Sequence, residues 1–330
     1  MVMALKPKVL LPQAWKDRII FGRAVELLSD VAEIEYIRED EFFEQLRDAE
    51  GMVGRGVGEE ILRRAPKLKV VARFGVGYDD CDVEALTRHK VYLVHTPGVL
   101  SDAVADMVLA LMLACNRKIV QADRYVREGW AKGAPGKPGY GVDLKGKTIG
   151  IIGLGRIGYE VAKRCARGFD MRIIYYDIRR NERAEREFGA ELKSLEDVMR
   201  ESDFVSINLP LTPQTRGLIS EKYLRMMKKT AYLINTARGP IVDQKALAKV
   251  LAEKAIAGAG LDVFEEEPIP QDDPLLRLDN VVLTPHIASL TVEARRAMAL
   301  CNAKGITAVL KGEIPPPYVI PEQKNLIFKK

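Results

Sequence analysis

The chain has 330 residues, of which 47% are apolar and 29% charged, with 26 glycines and 17 prolines. These proportions exclude collagen-like, low-complexity and disordered classes, and the length suits two domains that can each bury a core. The formal net charge is only +5, and the basic residues are scattered apart from Arg179, Arg180 and Arg183. A nucleic-acid binder would show a denser basic face, so anionic metabolites are the expected partners and nucleic acid is not.

The N-terminal stretch MVMALKPKVLLPQAW has Lys6 and Lys8 inside a short apolar run and no signal-peptide core. The longest helical apolar stretch, around Met107–Cys115, is too short to cross a bilayer, so no membrane is expected. Cys81, Cys115, Cys165 and Cys301 are far apart and form no CxxC pair. They fit reduced thiols in a cytoplasmic protein and suggest neither a disulfide framework nor a metal site.

Along the first hundred residues, short apolar runs at 8–11, 33–37, 51–54, 69–74 and 91–95 alternate with helical stretches at 17–28, 41–49, 59–64 and 80–89. That alternation predicts βαβ units and a parallel sheet. A long amphipathic helix is expected over 102–128, with Ser101 as its N-cap and Val104, Val108, Leu111 and Met112 on its apolar face. The Gly- and Pro-rich segment 129–141 then predicts an exposed loop.

A second alternation follows. Strands are expected at 148–152, 171–177, 204–209, 231–236, 258–263 and 281–284, and helices most clearly at 160–167, 195–200, 244–253 and 292–310. The Pro-interrupted tail is expected to wrap a surface. The architecture predicted is α/β, with two Rossmann-like or flavodoxin-like domains and an active-site cleft between them. One domain, discontinuous, takes 1–100 and 290–330 and binds substrate. The other takes 101–289 and binds the dinucleotide.

Gly153-x-Gly155-x-x-Gly158 follows an apolar strand and opens a helix near Arg156 and Ile157. In that setting the glycines permit a tight turn and a close backbone approach to a pyrophosphate, which the helix N-terminus then faces. Asp177 stands 19 residues after Gly158, at the end of the next strand. The spacing matches the acid, about 20 residues on, that binds a ribose 2′-hydroxyl. A carboxylate there repels a 2′-phosphate, favouring NAD(H) over NADP(H), although Arg179 and Arg180 just beyond could pair with a phosphate.

Only three histidines exist. His89 is expected at a solvated helix end, and His95 in a structural position. His286 follows the strand at 281–284, and strand C-termini line the ligand crevice of an open α/β sheet, so it is the acid/base candidate. Arg238 and Glu267 also follow strands of the same array. An arginine fork can hold a 2-keto acid's carboxylate, and a carboxylate beside a histidine orients the ring and favours its charged form. Spacing alone leaves open that Arg238 and Glu267 are surface charges.

The segments GKTIGIIGLGRIG, INTARGPIVD, GAGLDVFEEEP and LTPHIAS occur in an order and spacing that resembles the D-isomer-specific 2-hydroxyacid dehydrogenase family over nearly the whole chain. Within the family the chain looks most like glyoxylate/hydroxypyruvate reductases of the archaeal type. The resemblance implies Arg238 on the substrate carboxylate and carbonyl, His286 as acid/base with Glu267 as its partner, and Asp262 on the nicotinamide carboxamide. It implies a substrate loop at Arg73–Asp79, where the N–H groups of Val76 and Gly77 form an anion nest. It also implies a homodimer, through the 102–128 segment.

Departures from the family pattern are few. Gln244 stands where the family often has Glu, which touches no catalytic role. NADPH-using reductases often carry Ser-Arg in place of Asp177-Ile178, and formate dehydrogenases carry Gln in place of Glu267. Two rival readings remain: a 3-phosphoglycerate dehydrogenase, with Arg55 and Arg73 holding the phosphate, and an NAD(H)-sensing corepressor.

Overall fold

A computed structural model of the chain describes residues 6–54, 56–132, 138–315 and 317–327. Arg55 and part of the Gly- and Pro-rich segment lie outside the described residues. The fold divides into two units, one comprising residues up to Leu100 with those from Ser289 onward, the other Ser101–Ala288.

In the first unit, β1 (Lys8–Leu11), β2 (Glu33–Tyr36), β3 (Ala49–Gly54), β4 (Val70–Arg73) and β5 (Tyr92–Val94) form one parallel sheet in the order β2-β1-β3-β4-β5. This is the flavodoxin-like order, in which the strand direction of travel reverses beside β1. Alternation builds both cores. Val9, Val53, Val70 and Tyr92 pack on one face with Phe21, Ala24 and Val25, whereas Leu10, Met52, Val71 and Leu93 pack on the other.

The helix Val292–Leu310 belongs to this unit although it lies some two hundred residues away in sequence. Ala299, Ala303 and Ile306 sit in the same cluster as Val9, Val53 and Val94. The tail is pinned rather than merely laid on the surface. Val319 forms an antiparallel bridge with Val94, and fully buried Gln323 takes the N–H of Leu93 at 2.7 Å and donates to the Val91 carbonyl at 3.0 Å.

In the second unit, β6 (Thr148–Ile152), β7 (Arg172–Tyr176), β8 (Glu191–Leu192), β9 (Phe204–Ile207), β10 (Tyr232–Asn235), β11 (Gly258–Leu261) and β12 (Val281–Leu283) form a second parallel sheet in the order β12-β11-β10-β9-β6-β7-β8. This is the doubly wound dinucleotide-binding order with one further strand. Its order reverses between β6 and β9, and the glycine loop follows β6. Ile149 and Ile151 face one core, Ile152 the other.

One element goes beyond the expected set and one expectation changes. The edge strand β8 has only two residues, both exposed, and so leaves no hydrophobic pattern to find. The helix expected over 102–128 is two helices, Ser101–Asn116 and Ile119–Glu128, with Lys118 left-handed between them at φ 53°. The side chain of Asn116 explains the break. It accepts from the Val142 N–H at 3.0 Å and donates to the Val142 carbonyl at 2.7 Å, tying the helix end to the returning chain. Among the described residues no helix is long and apolar enough to cross a membrane.

Replacing Gln323 with Ala should strand a buried N–H and a buried carbonyl of the 91–93 segment. Urea unfolding should show a loss of about 2–4 kcal/mol, and an unchanged transition would mean that the tail is not part of the first core.

Candidate active site

The glycine loop is built by close approach. Gly153 sits at φ 93°, and a Cβ on Gly158 would lie 2.2 Å from the Gly153 carbonyl oxygen, so neither position accepts a side chain. Gly155 has the opposite property: a Cβ there would meet nothing within 4 Å, which leaves its outer side open to a ligand. Gly155 caps the helix Arg156–Phe169, whose first N–H groups have no intrahelical acceptor. The cradle therefore fits a dinucleotide pyrophosphate on its own geometry.

Asp177 closes the cradle from the end of β7. Its Oδ2 accepts from the Leu154 N–H at 2.8 Å and its Oδ1 from the Arg179 N–H at 3.0 Å. Asn181 donates to the Leu154 carbonyl at 2.8 Å, fixing the same loop from its other side. Arg180 points its charge at Glu185, at 2.9 and 2.7 Å, and Glu185 also accepts from Tyr175 at 2.7 Å. The bond from Tyr175 and those from Arg180 hold the Glu185 carboxyl below its usual range.

Arg238, Glu267 and His286 follow β10, β11 and β12, three adjacent strands. His286 Nδ1 lies 2.7 Å from Glu267 Oε2, and the other oxygen of Glu267 accepts from the Phe264 N–H at 3.1 Å. The carboxylate is thus fixed by its own loop while it fixes the ring. Since Glu267 can only accept, Nδ1 carries the hydrogen, which leaves Nε2 for chemistry. His286 itself is left-handed, at φ 53°.

That backbone is held by Asp262, a fully buried residue. Its Oδ1 accepts from Thr284 Oγ1 at 2.6 Å and from the Ile287 N–H at 2.9 Å, its Oδ2 from the Ala288 N–H at 2.8 Å, and its carbonyl from the His286 N–H at 2.9 Å. The motif nominates Asp262 for the cofactor and gives no sign of this role, nor of Thr284 as its partner.

Gly239 joins the arginine loop to the glutamate loop. A Cβ there would lie 1.9 Å from the Phe264 carbonyl group, so only glycine lets the two segments touch. Asn235 keeps the turn before it, accepting from the Ala237 N–H and donating to the Arg238 carbonyl, both at 3.0 Å. The Arg238 guanidinium donates to the Ala237 carbonyl at 2.8 Å. Gln244, dismissed on sequence, accepts from the Glu265 N–H at 2.9 Å and donates to Asp273 at 2.7 Å, so it also fixes the glutamate loop.

In the first unit, the loop after β4 exposes N–H groups and hides carbonyls. The Gly75 carbonyl accepts from the Thr96 N–H at 3.0 Å, and the Val76 carbonyl lies 3.1 Å from His95 Nδ1. The N–H groups of Val76 and Gly77 have no acceptor among the described residues. Arg73, nominated for substrate, is already engaged: it grips Asp80 through two bonds of 2.9 Å and donates to the Gly54 carbonyl at 2.9 Å. Buried His95 is structural, and His89 lies 3.2 Å from Glu59.

A dinucleotide cradle in the same unit as a carboxylate-held imidazole and an arginine defines a nicotinamide-dependent oxidoreductase. The family model "D-isomer specific 2-hydroxyacid dehydrogenase, NAD binding domain" matches residues 109–288. A glyoxylate reductase of Korarchaeum cryptofilum is 51% identical over 84% of each chain, and one of Pyrococcus horikoshii is 48% identical over 96% of each. The solved NADPH-dependent glyoxylate/hydroxypyruvate reductase of Sinorhizobium meliloti, in complex with NADP and malonate, superposes with TM-score 0.83 at 31% identity, covering 98% of this chain and 99% of its own. The chain belongs to the D-isomer-specific 2-hydroxyacid dehydrogenases.

A G239A variant should push the Phe264–Glu267 segment away from the arginine loop. Activity should fall by at least about tenfold, since sub-ångström misplacement of catalytic groups is costly, while cofactor fluorescence titration still shows NADH binding. Full activity would mean that the contact between the loops is dispensable.

Proposed function

We propose that this enzyme reduces small 2-keto acids to D-2-hydroxy acids with NADH, with glyoxylate or hydroxypyruvate as substrate. The observation that carries the reading is the 2.7 Å Glu267–His286 pair on a loop held by a buried carboxylate, in a chain whose relatives named above are glyoxylate reductases. Gly153, Gly155 and Gly158, with Arg156 and Ile157 in the first turn, would hold the cofactor's phosphates, and Asp177 its ribose. When bound, the nicotinamide supplies the hydride.

Arg238 holds the substrate carboxylate and aims the carbonyl, and the loop after β4 in the first unit offers the unmet N–H groups of Val76 and Gly77 to an anion. His286 delivers a proton from Nε2 to the carbonyl oxygen while Glu267 keeps the ring aligned. Asp262, fully buried and bonded to three donors, serves the site by holding the His286 loop rather than by touching the cofactor's carboxamide. A 3-phosphate substrate fits less well, because Arg73 is committed to Asp80. The dimer expected from the family has support in exposed Ile119, Val120 and Val126 on the second helix of the 101–128 segment. Four free cysteines agree with a reducing cytoplasm.

NADH oxidation against a panel of 2-keto acids, 3-phosphohydroxypyruvate included, tests the substrate. Glyoxylate or hydroxypyruvate should give the highest kcat/KM, and a preference for the phosphorylated acid would overturn the reading. H286A should lower kcat by roughly 10²–10⁴ with NADH binding intact, and an active H286A would reject the acid/base role. R238K should raise KM for the keto acid and lower kcat, because a point charge replaces a planar fork.

Cofactor choice has its own test. The Asp177 carboxylate should favour NADH, and with Arg180 held by Glu185, Arg179 is the one of this pair left to meet a 2′-phosphate. D177S should therefore lower the NADH/NADPH preference ratio or reverse it. A parent enzyme that prefers NADPH would refute the role given to Asp177.

A further inference from the structure

The first unit contains a cation that no acidic side chain among the described residues neutralises. Arg295 lies in the first turn of the helix Val292–Leu310 and is only partly exposed. Its Nε is buried without a hydrogen-bond acceptor, and its guanidinium makes no ion pair among the described residues. What it does touch is Phe74, lying over that ring at 5.2 Å. Burial pulls its pKa below the ordinary arginine value.

Phe74 is a rigid platform. Its ring meets Trp15 edge-on at 5.7 Å and Phe21 at 6.0 Å, and Trp15 and Phe21 stack on each other at 5.2 Å. The next residues in the chain are Gly75, Val76 and Gly77, whose carbonyls at 75 and 76 are bonded away and whose N–H groups at 76 and 77 are unmet. One short segment thus combines free N–H donors with a desolvated cation anchored on the residue beside them. Both features ask for an anion, since a charge taken out of water needs a partner. Arg73 cannot be the cation that serves this loop, because Asp80 holds its fork.

We infer that Arg295 is a substrate-binding residue, which meets the carboxylate of the 2-keto acid at the 75–77 loop and is itself neutralised only when substrate is bound. This rests on the dehydrogenase reading above. The ligand class is a small monocarboxylate, and the charge that recognises it comes from the C-terminal helix rather than from the arginine inside the loop's own sequence.

The test compares the parent enzyme with R295M, which keeps the length of the stem and removes the charge, and R295K, which keeps the charge without the planar fork. R295M should raise KM for glyoxylate about 10- to 100-fold, the scale of a lost hydrogen bond to a charged group. Its kcat should move less than its KM, and its KM for NADH should not change. R295K should fall between the two. Thermal unfolding without substrate should place R295M no lower than the parent, because the variant sheds an uncompensated charge.

Oxamate, a carboxylate that is not reduced, should protect the parent–NADH complex against unfolding and protect R295M–NADH markedly less. If the parent reduces glyoxylate and R295M does so with the parent's KM, or if R295M only melts lower, Arg295 is a packing residue and the inference fails while the dehydrogenase reading stands. A parent that reduces no 2-keto acid would overturn both.

Discussion

A carboxylate with no access to water, Asp262, organises the catalytic end of the second unit. Burying a carboxylate costs several kcal/mol unless donors replace the lost solvent. Here the donors are Thr284 Oγ1 and the N–H groups of Ile287 and Ala288, all from the segment that carries His286. The chain can satisfy Asp262 only by curling that segment around it, and the left-handed backbone at His286 is part of the curl. Glu267, from the loop that follows the same strand as Asp262, then meets an imidazole whose backbone is already held, and the two pair at 2.7 Å.

The same economy of contact recurs across the neighbouring strand ends. Gly239 allows the arginine loop to lie against the Phe264 carbonyl, and Gln244 reaches from the following helix to the Glu265 N–H. Neither residue performs chemistry. Both limit where the Glu267 carboxylate can be, and the contribution of such residues is positional, because a general acid works only within hydrogen-bond reach of the atom it protonates. The departure from the family's usual Glu at 244 still provides an acceptor for that N–H, and its amide adds a donor for Asp273.

Charge compensation separates the two arginines near the loop at 74–77. Arg73 lies in the loop's own motif yet is neutralised by Asp80, seven residues on. Arg295 lies in no motif that spacing would single out, yet it rests on the ring of Phe74 without a counter-charge among the described residues. A sequence reveals which residues could bear charge in a site. Whether that charge is available to a ligand depends on what else the fold places within a few ångströms.

The sequence by itself determined the parallel α/β class and the two strand arrays, and it placed the glycine loop, Asp177, Arg238, Glu267 and His286 at strand ends of the second array. Those features are local: they depend on residue spacing along one strand, one turn and one helix, which periodicity and glycine positions record directly. Tertiary structure alone decided that Gln323 pins the tail to the 91–93 segment, that the 101–128 helix breaks at Lys118, that Asp262 and Thr284 hold the histidine loop, and that Asp80 neutralises Arg73. Each of these joins residues from separate elements, often far apart in the chain, through hydrogen bonds and burial that no local pattern encodes. A buried charge can be assigned its partner only once the fold has brought the candidates together.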